Sequence, residues 1–142
     1  MIIRGVMQWL FKEEPSNYSY DALVKDGRTS WTGVRNPVAQ RNLRAVKKGD
    51  SIFFYHTGKE KAVIGIARAA DAAYVDPKDK DGKLYAVDVE PVKKLKNPVT
   101  LAAIKADKAF STFVLTRVPR LSVMPVSDAE WKKILEMSEK AG

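Results

Sequence analysis

Ser51-Ile52-Phe53-Phe54-Tyr55-His56 is an aromatic, β-favouring segment, and a polar loop separates it from the apolar segment Ala62-Val63-Ile64-Gly65-Ile66-Ala67-Arg68-Ala69. Aromatic and β-branched residues favour strands, and two such segments joined by a short polar loop are typical of a β-hairpin. We therefore expect an antiparallel pair of strands near the middle of the chain.

Three more segments on either side of this hairpin have the pattern of strands. Met7–Lys12 is apolar with partial alternation, Tyr85–Glu90 alternates regularly, and Arg120–Met124 precedes a proline. Between these strands the capping signals predict short helices. The predicted helices are residues 20–25 behind Ser19, residues 37–46 behind Asn36, residues 101–107 behind Thr100, and a last helix from the capping box at Ser127–Glu130 to about Glu139.

The order of these elements indicates the fold class. Strands and helices do not alternate as regular βαβ units, and five or six strands are interspersed with short helices. This pattern favours an α+β fold with a curved, mostly antiparallel sheet or small barrel. No linker-like tract divides the 142 residues, so we expect one domain over residues 1–142.

The composition excludes several classes of protein. No apolar run approaches the roughly 20 residues of a membrane span, and charge interrupts the N-terminus too early for a secretory signal. We expect a cytoplasmic protein, or a nuclear one in a eukaryote, with no membrane partner. The chain has no cysteine and a single histidine, His56, so we expect no metal and no cofactor. Its net charge of +8 favours a polyanionic partner.

The segment from Ser30 to Pro37 carries the most recognition groups. Trp31 offers a face for stacking on a flat ring, and Arg35 and Asn36 offer donors and acceptors for a base edge at the start of a helix. The alternative is a loop in which Trp31 fills the core, Gly33 makes a turn and Asn36 only caps the helix. The residues alone leave both interpretations open.

The helix behind Asn36 has two different faces. Ala39, Leu43 and Val46 fall on one side at helical spacing and are expected to pack, whereas basic residues cluster on the other. Those basic residues could contact phosphates or form an ordinary solvated face, and the two interpretations have equal support. They are Arg41, Arg44, Lys47 and Lys48.

Motifs for catalysis have little support. Thr57-Gly58-Lys59-Glu60 lacks the upstream glycine and the following Ser or Thr of a phosphate-binding loop. Glu13 and Glu14 are adjacent on a strand and should point to opposite faces. A lone histidine on a strand is more often a structural hydrogen-bonding residue than a catalyst. We therefore regard an enzyme as the weaker hypothesis.

Several short motifs, taken together, resemble the EVE domain family, of the thymocyte nuclear protein-like, compact bacterial type. They are Trp9–Pro15, Trp31–Asn36, Gly49-Asp50, Phe54–His56, Gly65–Ala67 and Arg120–Val126. The resemblance covers essentially the whole chain and implies a PUA-like pseudobarrel, related to the ASCH and YTH domains. Such a fold implies a concave pocket that reads a modified base in DNA or RNA. One residue departs from the family pattern, because Glu13 stands where a serine is usual.

The resemblance also implies roles for individual residues. Trp31 would form a wall of the base cage, and we expect it to supply stacking rather than core burial. Arg35 and Asn36 would bind the base edge or a phosphate, and Lys12 a phosphate or a carbonyl. One of Tyr55 and His56 would face the pocket. The full expected base-binding set is Lys12, Glu13, Trp31, Gly33, Val34, Arg35, Asn36, Tyr55, His56, Leu121 and Ser122, with Arg41, Arg44, Lys47 and Lys48 on phosphates.

The leading hypothesis is therefore a binding module. An extruded or single-stranded modified nucleobase would enter an aromatic, polar pocket while basic residues hold the flanking phosphates. The alternatives are a small nucleic-acid-modifying or nucleotide-processing enzyme, or a binder of a free small molecule, on the same fold. We expect a monomer that binds modified DNA or RNA.

Overall fold

A seven-stranded sheet forms the centre of the computed structural model, which describes residues 7–140. The strands are β1 Gln8–Glu13, β2 Thr29–Trp31, β3 Ser51–His56, β4 Ala62–Ala69, β5 Tyr74–Val75, β6 Tyr85–Thr100 and β7 Val123–Pro125. The strand order is β2-β6-β4-β3-β1-β7, with β5 paired to β6, and every pair is antiparallel except β1 with β3. The predicted curved, mostly antiparallel sheet is confirmed.

Short helices flank the sheet, and the predicted caps are in place. Ser19, Asn36 and Thr100 each accept a backbone N–H in the first turn of the helix that follows. Ser127 and Glu130 form the reciprocal hydrogen bonds of a capping box. The helices are α1 Tyr20–Asp26, α2 Pro37–Ala45, α3 Leu101–Lys105, α4 Val114–Arg117 and α5 Asp128–Lys140, with a 3-10 turn at Lys108–Phe110.

The central hairpin is confirmed, but the sheet differs from the sequence-based expectation in three other places. Trp31 lies in β2, opposite Val87 of β6, rather than in a loop. Strand β6 continues past Glu90 to Thr100 because β4 pairs along its length, with register shifts between Val63 and Gly65 and between Ile66 and Ala67. Strand β7 starts at Val123 rather than Arg120, since its three residues pair with β1. All three differences come from pairing between segments that are distant in the chain.

Helix α1 packs unusually close to the sheet at Gly65 in β4. A Cβ atom at this position would lie 2.5 Å from Cζ of Tyr20. The Tyr20 hydroxyl donates a 2.7 Å hydrogen bond to the carbonyl of Ile66, which holds the ring in that place. Gly65 is therefore required for the approach of the ring to the strand backbone.

We expect Gly65→Ala to lower the free energy of unfolding by about 1 to 3 kcal/mol, because the added methyl overpacks a fully buried ring. Urea denaturation measures the loss. In a Tyr20→Leu background, where the ring is absent, the same substitution should cost much less. Equal costs in the two backgrounds would show that the ring does not cause the effect.

Candidate nucleic-acid interface

A small pocket of about 180 Å³ opens where β1 and β2 end. Two of its lining residues, Glu13 and Trp31, were predicted as base-binding residues. Sequence reasoning missed the other four as site residues. Thr29, Ser30 and Thr32 could have been found as chain neighbours of Trp31, but Tyr18 has no signal in the sequence. The pocket is lined by Glu13, Tyr18, Thr29, Ser30, Trp31 and Thr32.

Trp31 lies at the junction of this pocket and the hydrophobic core. Its ring centroid is 5.3 Å from that of Phe11 and 5.4 Å from that of Phe54, and the residue is only 6% exposed. We expected Trp31 to supply stacking rather than core burial. The expectation that it is not a core residue is wrong, because the side chain is buried. The part of the side chain that reaches the pocket is backed by two core rings, so its position is rigid.

Glu13 lies on the same side of β1 as Phe11, because side chains two residues apart on a strand share a face. Its Oε1 accepts a 2.9 Å hydrogen bond from the backbone N–H of Glu14. Within residues 7–140, Oε2 accepts no hydrogen bond. The side chain that departs from the family pattern therefore lines the pocket and brings an acceptor and a negative charge to it.

The phenol of Tyr18 is held on the opposite wall. Its hydroxyl donates a 2.8 Å hydrogen bond to Oδ2 of Asp26. Partial burial, and then this hydrogen bond to Asp26, raise the pKa of Tyr18, although a hydrogen bond with Thr29 acts in the other direction. The phenol thus stays neutral at physiological pH.

A polar cluster behind β2 fixes the strand that carries Trp31. The hydroxyls of Ser30 and Tyr74 both donate to Oδ1 of Asp88, and Arg28 forms a 3.0 Å ion pair with Oδ2. Burial acts to raise the pKa of Asp88, but the hydrogen bonds from Tyr74, Ser30 and Arg28 outweigh it and lower the pKa. Asp88 is therefore a carboxylate that anchors one wall of the pocket.

Gln40 fixes the loop that leaves the pocket towards α2. Its Nε2 donates to the carbonyls of Val34 and Tyr85, at 2.6 and 3.2 Å, and its Oε1 accepts from the N–H of Tyr85 at 2.9 Å. The side chain is 4% exposed, so these bonds are shielded from water. The loop over residues 32–36 is thereby tied to α2 and to β6.

A groove of about 410 Å³ lies at the other end of that loop, between α2, α4 and β7. Its walls are mainly apolar, and Val38 and Val118 are both more than 40% exposed there. Asn36, Arg41 and Leu121 were predicted site residues, whereas Arg120 and the apolar walls were missed because they come from distant segments. The groove is lined by Asn36, Val38, Arg41, Asn42, Val114, Val118, Arg120, Leu121 and Pro125.

Asn36 caps α2 and lines the groove at the same time. Its Oδ1 accepts from the N–H groups of Val38 and Ala39, at 2.9 and 3.0 Å. Among the residues the structure describes, its Nδ2 donates to none. The capping interaction therefore uses only the acceptor and leaves the amide donor available to a ligand.

The side chain of Lys12 is held next to the segment that carries Arg120 and Leu121, but it lines neither the pocket nor the groove. Its Nζ donates a 2.7 Å hydrogen bond to the carbonyl of Pro119 and lies 5.6 Å from the centre of the Tyr55 ring. Partial burial lowers the pKa of Lys12. Its backbone N–H donates to the carbonyl of Ser122, which keeps residues 119–122 next to β1.

Tyr55 and His56 are both buried, at 3% and 5% exposure. Nε2 of His56 accepts from the N–H of Tyr20, so Nδ1 is the ring nitrogen that donates, and it lies 3.0 Å from Oε1 of Glu60. His56 thus makes the hydrogen bonds of a structural residue. Neither Tyr55 nor His56 lines the pocket or the groove, although both were predicted as base-binding residues.

The remaining predicted site residues are spread around α2. Val34 is buried, whereas Gly33 and Arg35 are exposed, and Gly33 has a φ of +74°, which favours glycine. Ala39, Leu43 and Val46 pack as predicted. The basic residues Arg41, Arg44, Lys47 and Lys48 are exposed, with Arg44 lying over the Tyr85 ring.

Two features are absent from residues 7–140. Over that range no group of three or more His, Cys, Asp or Glu side chains is arranged to hold a metal ion. None of the helices in the same range is long and apolar enough to cross a membrane.

Comparison with known proteins identifies relatives over nearly the whole chain. Residues 7–137 match the family model described as the EVE domain. Human thymocyte nuclear protein 1 is 31% identical over 93% of this chain and 74% of its own length.

Solved structures have the same fold. An NMR structure from Rhodopseudomonas palustris is 43% identical, with a TM-score of 0.90, covering 94% of both chains. Human THYN1, solved in complex with DNA containing 5-methylcytosine, is 30% identical with a TM-score of 0.86, covering 94% of this chain and 98% of that one. An ASCH protein from Zymomonas mobilis, at 15% identity and a TM-score of 0.58, covers 92% of this chain and 95% of its own and shares the fold alone.

Proposed function

The chain belongs to the EVE domain family, and on that premise we propose that it binds DNA and takes one modified base into the pocket beside Trp31. The observation that carries the proposal is this pocket, in a chain similar to human THYN1, which was solved with DNA containing 5-methylcytosine. A methylated cytosine is therefore the first base to test, and RNA carrying the same base is the second candidate ligand.

The size of the pocket favours a single base. Its volume is about 180 Å³. Pockets for drug-sized ligands and cofactors usually measure about 300 to 1,000 Å³. One heterocyclic ring suits this volume better than a whole nucleotide, which supports base reading over nucleotide processing or storage of a larger small molecule.

The groove offers a path for the flanking nucleotides. The loop over residues 32–36 runs from the pocket, which Thr32 lines, to this groove, which Asn36 lines. Arg41 and Arg120 place two guanidinium groups along its apolar walls, an arrangement that can bind phosphates while sugars lie on the apolar surface. Phosphate contacts would supply affinity, and the pocket would supply the choice of base.

Fluorescence anisotropy with short single-stranded oligonucleotides tests the proposal. The central position carries either 5-methylcytosine or cytosine, in a DNA and an RNA series of otherwise identical sequence. We expect tighter binding of the methylated oligonucleotide in at least one series. Equal affinities for methylated and unmethylated strands in both series would refute base reading.

The two groove arginines separate backbone affinity from base choice. We expect the double variant Arg41→Gln, Arg120→Gln to weaken binding of methylated and unmethylated strands alike, and to reduce the slope of log K against log salt by ~0.7 per lost phosphate contact on a single strand. The ratio of the two affinities should not change. Isothermal titrations from 50 to 200 mM salt measure both quantities.

The control replaces two lysines of α5, Lys132→Gln and Lys140→Gln, which removes the same charge outside the pocket and the groove. If this control reduces the salt slope as much as the arginine variant does, net charge rather than the groove determines the affinity.

A further inference from the structure

We propose that Glu13 makes the pocket selective for a base that carries an exocyclic amino group, of the cytosine class rather than the thymine or uracil class. This inference rests on the proposed function, because it assigns a specificity-determining residue to the same pocket. Glu13 lines that pocket, and one of its two carboxylate oxygens has no hydrogen-bond donor among residues 7–140.

To distinguish methylated cytosine from thymine, a pocket must contact more than the methyl group. Thymine carries the same 5-methyl group on the same ring, so an apolar contact with the methyl cannot distinguish thymine from 5-methylcytosine. The two bases differ at positions 3 and 4 of the ring. Cytosine presents an amino group at position 4, and thymine presents a carbonyl oxygen there.

The geometry of Glu13 suits this distinction. The backbone N–H of Glu14 holds Oε1, which leaves Oε2 as a fixed acceptor at the pocket wall. A carboxylate only accepts hydrogen bonds, so at position 4 of the ring it binds the amino group of cytosine but meets the carbonyl of thymine with another acceptor. Two effects therefore favour cytosine over thymine. The Glu13 carboxylate attracts the amino group of cytosine, and it repels the carbonyl oxygen of thymine.

The negative charge of Glu13 also argues for a specific role. The chain has a net charge of +8, and the other residues proposed to contact the ligand, such as Arg41 and Arg120, suit phosphate. Glu13 instead brings a negative charge to the pocket. A carboxylate in the pocket weakens the electrostatic attraction between the protein and a polyanion. It therefore favours binding only where a donor group of the ligand forms a hydrogen bond with it.

The test compares wild-type protein with Glu13→Gln on single-stranded DNA carrying either 5-methylcytosine or thymine at one position. We expect wild-type protein to bind the 5-methylcytosine strand about tenfold more tightly, since a charge-assisted hydrogen bond is gained and a repulsion avoided. In the variant, the N–H of Glu14 keeps the amide oxygen at the Oε1 position and places the NH₂ at the Oε2 position. That NH₂ donates to the thymine carbonyl, so the ratio should fall to about one or reverse.

Glu14→Gln is the matched control. Glu14 accepts from Ser16 and Thr57 and does not line the pocket, so this variant loses the same charge one residue away. It should retain the tenfold preference. Glu13→Ser, which supplies both a donor and an acceptor, should bind both strands with similar affinity.

The outcomes distinguish this inference from the proposed function. If wild-type protein prefers 5-methylcytosine to cytosine but binds thymine equally well, or if Glu13→Gln keeps the wild-type ratio, then Glu13 does not read the amino group. If strands with 5-methylcytosine and with cytosine bind with equal affinity, the proposed function is wrong, whatever the affinity for thymine.

Discussion

Trp31→Ala is expected to lower the free energy of unfolding by about 3 to 5 kcal/mol and to abolish the preference for a modified base. The stability loss follows because the indole is almost fully buried between Phe11 and Phe54. The binding loss follows because the same side chain forms a wall of the pocket. Stabilities of single domains are commonly 5 to 15 kcal/mol, so this one substitution removes a large share.

Urea denaturation and oligonucleotide anisotropy, both at low temperature, measure the two effects separately. Trp31→Phe keeps an aromatic ring and should cost less stability while retaining part of the base preference. A Trp31→Ala protein that unfolds at the wild-type urea concentration would contradict the core role. A folded variant with the wild-type preference would contradict the pocket role.

The second large effect is expected at Asp50, in the turn before β3. Its carboxylate accepts from the N–H groups of Met7 and Lys47, at 3.1 and 2.9 Å, and from Nε1 of Trp9 at 2.9 Å. The residue is 3% exposed. Asp50→Ala should lower the free energy of unfolding by about 3 kcal/mol or more, because three donors lose their acceptor and a buried donor without a partner costs about 1 to 3 kcal/mol.

Thermal and urea unfolding measure the cost at Asp50. Asp50→Asn retains one amide oxygen and should lose less than the alanine variant. Lys48→Ala, at an exposed position of the same turn, should change stability by no more than about 0.5 kcal/mol. An Asp50→Ala variant as stable as Lys48→Ala would show that the carboxylate does not join β1 to the turn before β3.

The fold could be predicted where its signals are local. Ser19, Asn36 and Thr100 cap their helices in the structure because an N-cap needs only the two or three residues that follow it. The central hairpin also matches, because two β-favouring segments lie next to each other in the chain. The strand at Thr29–Trp31 was missed because it exists only through pairing with residues 87–89.

The candidate site could be predicted only in part for the same reason. Trp31 and Glu13 were found because they belong to motifs that can be read along the chain. Tyr18 and Arg120 were not found, because each meets its neighbours through a separate element of the fold. The predicted set also mixed exposed residues with the buried Tyr55 and His56, since a strand pattern does not tell which face is covered.

The sequence alone determined the fold class, the helix starts, the basic character and the departure at Glu13, because each depends on composition or on residues a few positions apart. The tertiary structure decided that Trp31 belongs to both the core and the pocket, and that the pocket and the groove are separate sites joined by residues 32–36. The physical reason is that burial and pocket shape depend on which strands pair, and that pairing joins residues far apart in the chain.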